Sequence, residues 1–583
     1  MADFHSYKVK IRNNPFTTED GKQLENMANI SFFDENRKEL SYLELGYIDT
    51  EDIFKLIDEG KDINIDNCYV DNFSLAAYRQ SRNIEKEQIV KILSFSANST
   101  YFDTHLNNDF SYAEFKQGPV SFNKAVFLNG DTTFNSSKFG DCDVDFGYAI
   151  FKFGNIDFAN TVFGEGELSF KNARMGTGTK NFQYAQFGTG KVTFTNAEFG
   201  DGDVAFINTD FDHGEVSFKI ARFGEGHVDF RFSKFGEGNI SFERAEFNSG
   251  NVNFSKVDFH GGKITFNRAL FGSGDMTFEG ATLKNGKLNF ISTEFGDGDI
   301  NLEFLEFDDS DIFLDKAKYG NGKVSFYSSK MKSISMKSSV INNYTDLRVL
   351  ECDTIDLSGA VIRDLVDLKP HEFPVVVQNL NIIGLCLLGR IYLDWNANHV
   401  ENLIVTQSKS SNREKSEQFR ILKQNFNANG NYDYEDLAYV LFKRYEAKAD
   451  LEEGLKYRPK EKAKIYVLHF SKWLLYDKMG KFATDPFRVL LSAFYTYVFF
   501  SILHYVIPFF YDIPCYNFPT PPANELARLG TTFYYSSITF FTVGYGDIYP
   551  FVWPAKIVAA VEPFFGTFMM AYFTVAFARK ILR

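Results

Sequence analysis

The sequence predicts a mixed fold: a parallel β-solenoid of about 24 residues per coil, a helical linker, and a C-terminal module of two membrane-crossing helices. Three observations predict it. Phe and Gly recur every twelve residues from Lys116 to Met331; apolar spacing turns helical over 416–457; two long apolar runs follow, Phe487–Phe510 and Trp553–Ala578.

The repeat comes first, because it sets the architecture. Lys116 to Met331 divides without a gap into eighteen frames of twelve, such as "GTGKVTFTNAEF" (188–199) and "HGGKITFNRALF" (260–271). Position 3 is Gly in sixteen frames, position 7 is Phe in sixteen and position 12 is Phe in fourteen. Apolar positions 5, 7, 10 and 12 do not share one helical face, and a Gly every twelve residues breaks helices. Short extended segments turned at each Gly fit instead.

Position 10 sets the coil length. In alternate frames it is Ala eight times of nine, from Ala125 to Ala317 with Thr293 the exception; the frames between carry residues such as Ser137, Thr161, Thr209 and Ser233. Two alternating environments make two frames one coil, hence nine coils over 116–331. No single coil can bury its Phe side chains alone; stacking buries them.

The spacing "FxxAxF" resembles the pentapeptide-repeat family, with every second interval lengthened by the Gly turn. The resemblance covers 116–331 and continues more loosely at "FSYAEF" (110–115) and "TIDLSGAVI" (354–362). It implies a right-handed, four-sided coil. Calcium at the "GDGD" and "GEGE" turns needs aligned acidic ligands. Position 4 instead mixes Asp, Glu, Asn, His and Thr with Lys191, Lys263, Lys287 and Lys323, which reads as solvated turns.

The remaining segments follow from this frame. Residues 1–103 lack the period and read as an N-terminal cap, 104–331 as the solenoid, and 332–410 as its continuation and closing cap. Residues 411–482 read as a helical linker: a hairpin over 416–457, then "KEKAKIYVLHFSKWLLYDKMGKF" (460–482), suited to the headgroup region or to burial as an amphipathic helix. Residues 483–583 hold the membrane module, with spans at 487–510 and 553–578 and a short helix at 531–541 between them.

Charge and cysteine content narrow the function. The net charge of −14 argues against nucleic acid as a partner. Five scattered cysteines show no metal-ligand spacing, and no catalytic constellation is found, so the reading is non-enzymatic and without cofactor. The first twenty residues hold no apolar signal segment. Lys478, Lys481, Arg488, Arg579, Lys580 and Arg583 flank the spans on one side, and the intervening loop has no Lys or Arg before Arg528. Both termini and the solenoid are therefore expected on the cytoplasmic side of the plasma membrane.

Between the spans, "TFFTVGYGD" (Thr539–Asp547) resembles the signature of two-helix potassium channels. The resemblance implies a homotetramer in which Thr542, Val543, Gly544, Tyr545 and Gly546 form the filter, with K+ as the permeant ion and no other metal. Backbone carbonyls replace the ion's water shell, Gly544 and Gly546 permit the required angles, the Thr542 hydroxyl sits at the cytoplasmic end, and Val543 and Tyr545 pack outward. Thr539, Tyr534 and Tyr535 fall at filter-supporting positions, Asp547 at the outer mouth and Gly566 at the inner-helix hinge. Phe541 departs from the family pattern, in which a small polar residue is usual.

Glu562 has two readings, a functional intramembrane carboxylate or a structural partner of a pore-helix group. Control by the solenoid is expected to arrive through the hairpin, the interfacial helix and the first span, on account of an unidentified cytosolic ligand or protein. A second function class stays open: a tethered, partner-binding solenoid, such as a DNA mimic, whose pore is silent or a triggered toxic effector.

Overall fold

The structure, a computed structural model, describes residues 4–18, 21–116, 118–520 and 522–582. Arg583, counted above among the basic flanks, lies outside them. The chain divides into two units, Met1–Gln407 and Ser408–Arg583.

The first unit is a parallel β-solenoid of about fourteen coils. Strands pair in register with residues 24 further on, as Val120 with Val144, Val144 with Leu168 and Val192 with Val216. The coil is therefore two frames, as the alternation at position 10 predicts. Four stacks of rings fill it. Phe122, Phe146 and Phe170 lie nearly parallel with centroids 4.9 and 4.8 Å apart, and Phe158 meets Phe170 edge-on at 5.6 Å and 88°. Each fully buried Phe contributes about 1.5–3 kcal/mol, and the offset or edge-on pairs add to that.

Buried polar positions repeat as well. Ser137, Thr161, Thr209 and Thr293 each donate a hydroxyl to the carbonyl of a residue 27 positions earlier: Phe110, Phe134, Phe182 and Phe266, at 2.7, 2.9, 2.9 and 2.8 Å. A hydroxyl at position 10 is tolerated because each one finds that carbonyl. Turn residues at position 4 do the same outside. Asp131 accepts from Asn155 N at 2.7 Å, Asp203 from His227 N at 2.8 Å and Asp275 from Asp299 N at 2.8 Å. These acids ladder one coil to the next. At position 3, glycine is needed because a Cβ at Gly190 would meet the Gly166 carbonyl oxygen at 1.9 Å.

Lys180 is the anomaly. It occupies inward position 5, between Ile156 and Val204 in the ladder, and is 1% exposed. Its Nζ donates to the Gly176 carbonyl at 2.5 Å.

The ladder extends past the nine expected coils at both ends, where coil length changes. Ile63 pairs with Phe95, 32 residues on, because helix α2 (Leu75–Ser81) is inserted in that coil. So the solenoid already includes part of the segment read as a cap. Ahead of it lie helix α1 (Thr50–Asp58) and an antiparallel sheet of Ser6–Arg12, Asn26–Phe33 and Glu39–Ile48, the last of which pairs in parallel with Cys68–Asp71. Beyond residue 324 the steps become 21 residues (Val324 to Thr345) and 25 (Ile355 to Leu380). Helix α3 (Val400–Val405) follows the last strand.

The second unit is helical apart from one two-residue strand pair among its described residues. α4 (Asn412–Ala428) opens with a capping box of Ser411 and Glu414, and α5 (Tyr432–Tyr457) returns beside it, with Phe419 stacked on Tyr445 at 5.7 Å. α6 (Lys462–Lys472) runs into a wider turn over Trp473–Lys478. α7 (Pro486–Val506), prolonged by a 3₁₀ turn to Phe510, α8 (Glu525–Phe540) and α9 (Trp553–Ile581) complete it. α7 with its extension, and α9, are each long and apolar enough to cross a membrane.

Candidate functional site

α8 begins where Asn524 caps it, its side chain accepting from Ala527 N at 2.8 Å. That start is earlier than the expected residue 531. The helix ends at Phe540, and the chain reverses: Val543 N and Gly544 N both donate to the Ile538 carbonyl, at 2.9 and 3.0 Å.

Thr542, Gly544 and Gly546 then have φ of +57°, +59° and +75°, while Val543 and Tyr545 do not have positive φ. Alternating handedness turns successive carbonyls to one side of the chain, whereas a strand would alternate them. Two of the three left-handed positions are glycines, the residue that reaches this region without steric cost. Val543 and Tyr545 are 50% and 73% exposed in the single chain, and Phe541 is 52% exposed.

The other residues singled out from sequence fall around this segment. Tyr534 donates to Asp547 at 2.9 Å, bracing α8 against the end of the loop. Thr539 Oγ1 donates to the Tyr535 carbonyl at 2.8 Å. Gly566 sits where α9 crosses the end of α8. A Cβ there would lie 1.9 Å from the Phe540 carbonyl oxygen, so close approach alone demands glycine.

Glu562 is fully buried and joined to two other helices. Ser536 of α8 donates to its Oε1, and His504 Nε2 of α7 lies 3.0 Å from its Oε2. His504 Nδ1 lies 2.7 Å from the Tyr516 hydroxyl, and the Tyr535 ring packs 5.0 Å from the imidazole. An ionised Glu562 is satisfied when Ser536 and His504 Nε2–H both donate, leaving Nδ1 to accept from Tyr516. A buried carboxylate alone is costly; this chain of partners offsets that. His504, Ser536 and Tyr516 were not singled out from the sequence. They are far apart in it, and none carries a motif.

A second cluster also escaped the sequence reading. At the end of α9, Arg579 reaches Asp436 at 2.8 Å and Glu435 at 3.7 Å, while Lys580 reaches Asp433 at 3.0 Å and Asp436 at 3.1 Å. The Arg579 guanidinium lies 4.4 Å over the Tyr439 ring. The hairpin thus contacts the end of the second span directly. The signal was hidden by a local explanation. Acids in the first turn of α5 and bases in the last turn of α9 each suit their own helix dipole.

Comparison with known proteins bears on this unit. A family model described as "ion channel" matches residues 489–583. No curated protein and no solved structure matches the chain. The chain therefore carries an ion-channel domain preceded by a β-solenoid, and the two apolar helices of that domain make it a membrane protein.

Proposed function

We propose that the chain is the subunit of a homotetrameric, potassium-selective channel, with the solenoid as a sensor or docking arm. The observation that carries this reading is the alternating backbone of Thr542–Gly546, in a TVGYG sequence held between two spans. One such loop supplies a quarter of each oxygen cage, so four copies are needed to replace the hydration shell of K+. The exposed Val543, Tyr545 and Phe541 are the surfaces that neighbouring copies cover.

In this reading Asp547 lies at the outer mouth, Tyr534, Tyr535 and Thr539 brace the filter, and Gly566 serves as hinge as well as crossing point. Glu562, tied to α7 and α8, fixes the pore helix behind the filter. The termini and the solenoid, similar to pentapeptide-repeat proteins, face the cytosol beneath the plasma membrane. What the solenoid binds reaches the pore through the hairpin, whose α5 grips Arg579 and Lys580.

The test is rubidium uptake into liposomes holding the purified full-length protein, against a sodium gradient and with barium block. Barium-sensitive rubidium flux with little sodium flux is expected. Equal rubidium and sodium flux would sink potassium selectivity, and a subunit mass other than four would sink the assembly.

A further inference from the structure

α5, α6 and the turn Trp473–Lys478 line an open cleft of about 510 Å³ that the channel reading leaves unused. Its place in the chain is informative. Phe482 lines it, and the first span begins at Pro486. α6 itself buries no residue, and its Val467, Leu468 and Phe470 are more than half exposed. An uncovered apolar helix joined this closely to a span belongs at the membrane boundary.

The charges around the cleft do not cancel. Each acid of the lining has a cation beside it: Glu446 pairs with Lys443 at 2.8 Å, Asp477 with Arg444 at 2.8 Å, and Asp450 shares Arg413 with Glu453 at 2.9 and 2.8 Å. Lys448 and Lys472 remain, and among the described residues neither forms an ion pair. Lys448 rests over the Tyr445 ring at 4.6 Å. His469, Trp473 and Tyr476 complete the lining. Indole and phenol rings beside ammonium groups are the side chains that settle at headgroup level.

The geometry points to a binding site for the headgroup of an anionic phospholipid of the cytoplasmic leaflet. Lys448 and Lys472 take the phosphate, Trp473 and Tyr476 flank it, and the bare face of α6 lies along the acyl chains. A soluble anion has no use for that face. The site is also wired to the second span. Tyr572 of α9 donates its hydroxyl to the Tyr476 carbonyl at 2.9 Å, and the Tyr572 hydroxyl oxygen in turn accepts from Ala483 N, next to Phe482, at 3.1 Å. Occupancy therefore bears on the helix that Arg579 and Lys580 tether to α5. This coupling rests on the channel reading; the binding site does not.

The experiment is native mass spectrometry of the full-length protein in detergent, titrated with short-chain phosphatidylglycerol or phosphatidylcholine. Phosphatidylglycerol is expected to bind more tightly. The Lys448→Gln/Lys472→Gln variant should lose that preference, weakening it roughly 10- to 30-fold, while Lys448→Arg/Lys472→Arg keeps it. Equal retention of both lipids, or no effect of the Gln pair, overturns the site. Displacement of phosphatidylglycerol by inorganic phosphate at a similar concentration assigns a soluble anion instead and overturns the lipid. Lipid retention unchanged but subunit number altered in the Gln variant gives the face to a second copy, with the same consequence. Binding is read without conduction, so equal rubidium and sodium flux in liposomes would sink potassium selectivity and leave this result standing.

Discussion

The solenoid and the channel unit bury polar groups in opposite ways. In the solenoid the solution is repeated: a hydroxyl at position 10 donates to a carbonyl 27 residues back, at Ser137, Thr161, Thr209 and Thr293 alike. In the channel unit it is made once, as Ser536, Glu562, His504 and Tyr516 join three helices and a loop. Repetition spreads stability over many equivalent contacts, each supported by its neighbours. A singular arrangement concentrates function in a few atoms, so single changes should act very differently in the two units.

The largest effect is expected at the filter. Gly546→Ala places a Cβ on a residue at φ +75°, where L side chains are strained. Barium-sensitive rubidium flux should be abolished, while the subunit mass and the thermal unfolding transition of the solenoid stay as in the parent protein. Retained selective flux would show that the left-handed backbone at 546 is not required for the ion path. In the solenoid, Phe218→Ala removes a ring stacked on Phe194 and Phe242 at 4.8 and 4.7 Å. The expected cost is about 3–5 kcal/mol. Hydrogen exchange of the full-length protein should show lost protection in the coils on either side, with the pore helix unaltered. Protection lost evenly along the whole solenoid would argue that it unfolds as one block rather than coil by coil.

The same contrast explains what could be read from the sequence. The 24-residue coil was legible because Phe at positions 7 and 12 recurs under one constraint, and the observed register repeats it. The twelve-residue period is lost where coils change length: at Ile63 to Phe95, where α2 is inserted in a segment read as cap, and beyond Val324, where the expected continuation proceeds in steps of 21 and 25 residues. Alignment in space persists there although period in sequence is lost. In the channel unit, the TVGYGD run stood out because its residues are sequence neighbours, and the structure gives Thr542, Gly544 and Gly546 positive φ. The partners of Glu562 lie 58 residues away at His504 and 26 away at Ser536, and only the helix packing brings them together. The pairing of Asp433 and Asp436 with Arg579 and Lys580 spans 143 residues or more.

Lys180 sharpens the comparison, because it is a singular polar group set inside the repetitive unit. Among the inward position-5 residues from Val120 to Val324 it is the one charged side chain, and its Nζ has a carbonyl as partner rather than a carboxylate. Burial pulls its pKa from near 10.5 down to about 8, with Asp201 and Asp203 drawing it partly back. Below pH 8 both folded and unfolded chains carry the proton, and the folded state bears the full cost of enclosing the charge. Between pH 8 and 10.5 the unfolded chain binds more protons than the folded one, so stability rises with pH; above that range the cost is gone. Lys180→Met keeps an unbranched side chain of similar length without the charge. It should stabilise the solenoid by about 1–3 kcal/mol at pH 7, with the advantage fading as pH approaches 10.5. Urea unfolding of the full-length proteins at pH 7, 9 and 10 measures both effects. Equal stability at pH 7 would mean that the ladder accommodates the ammonium at no cost, and that redundancy extends to charge as well as to shape.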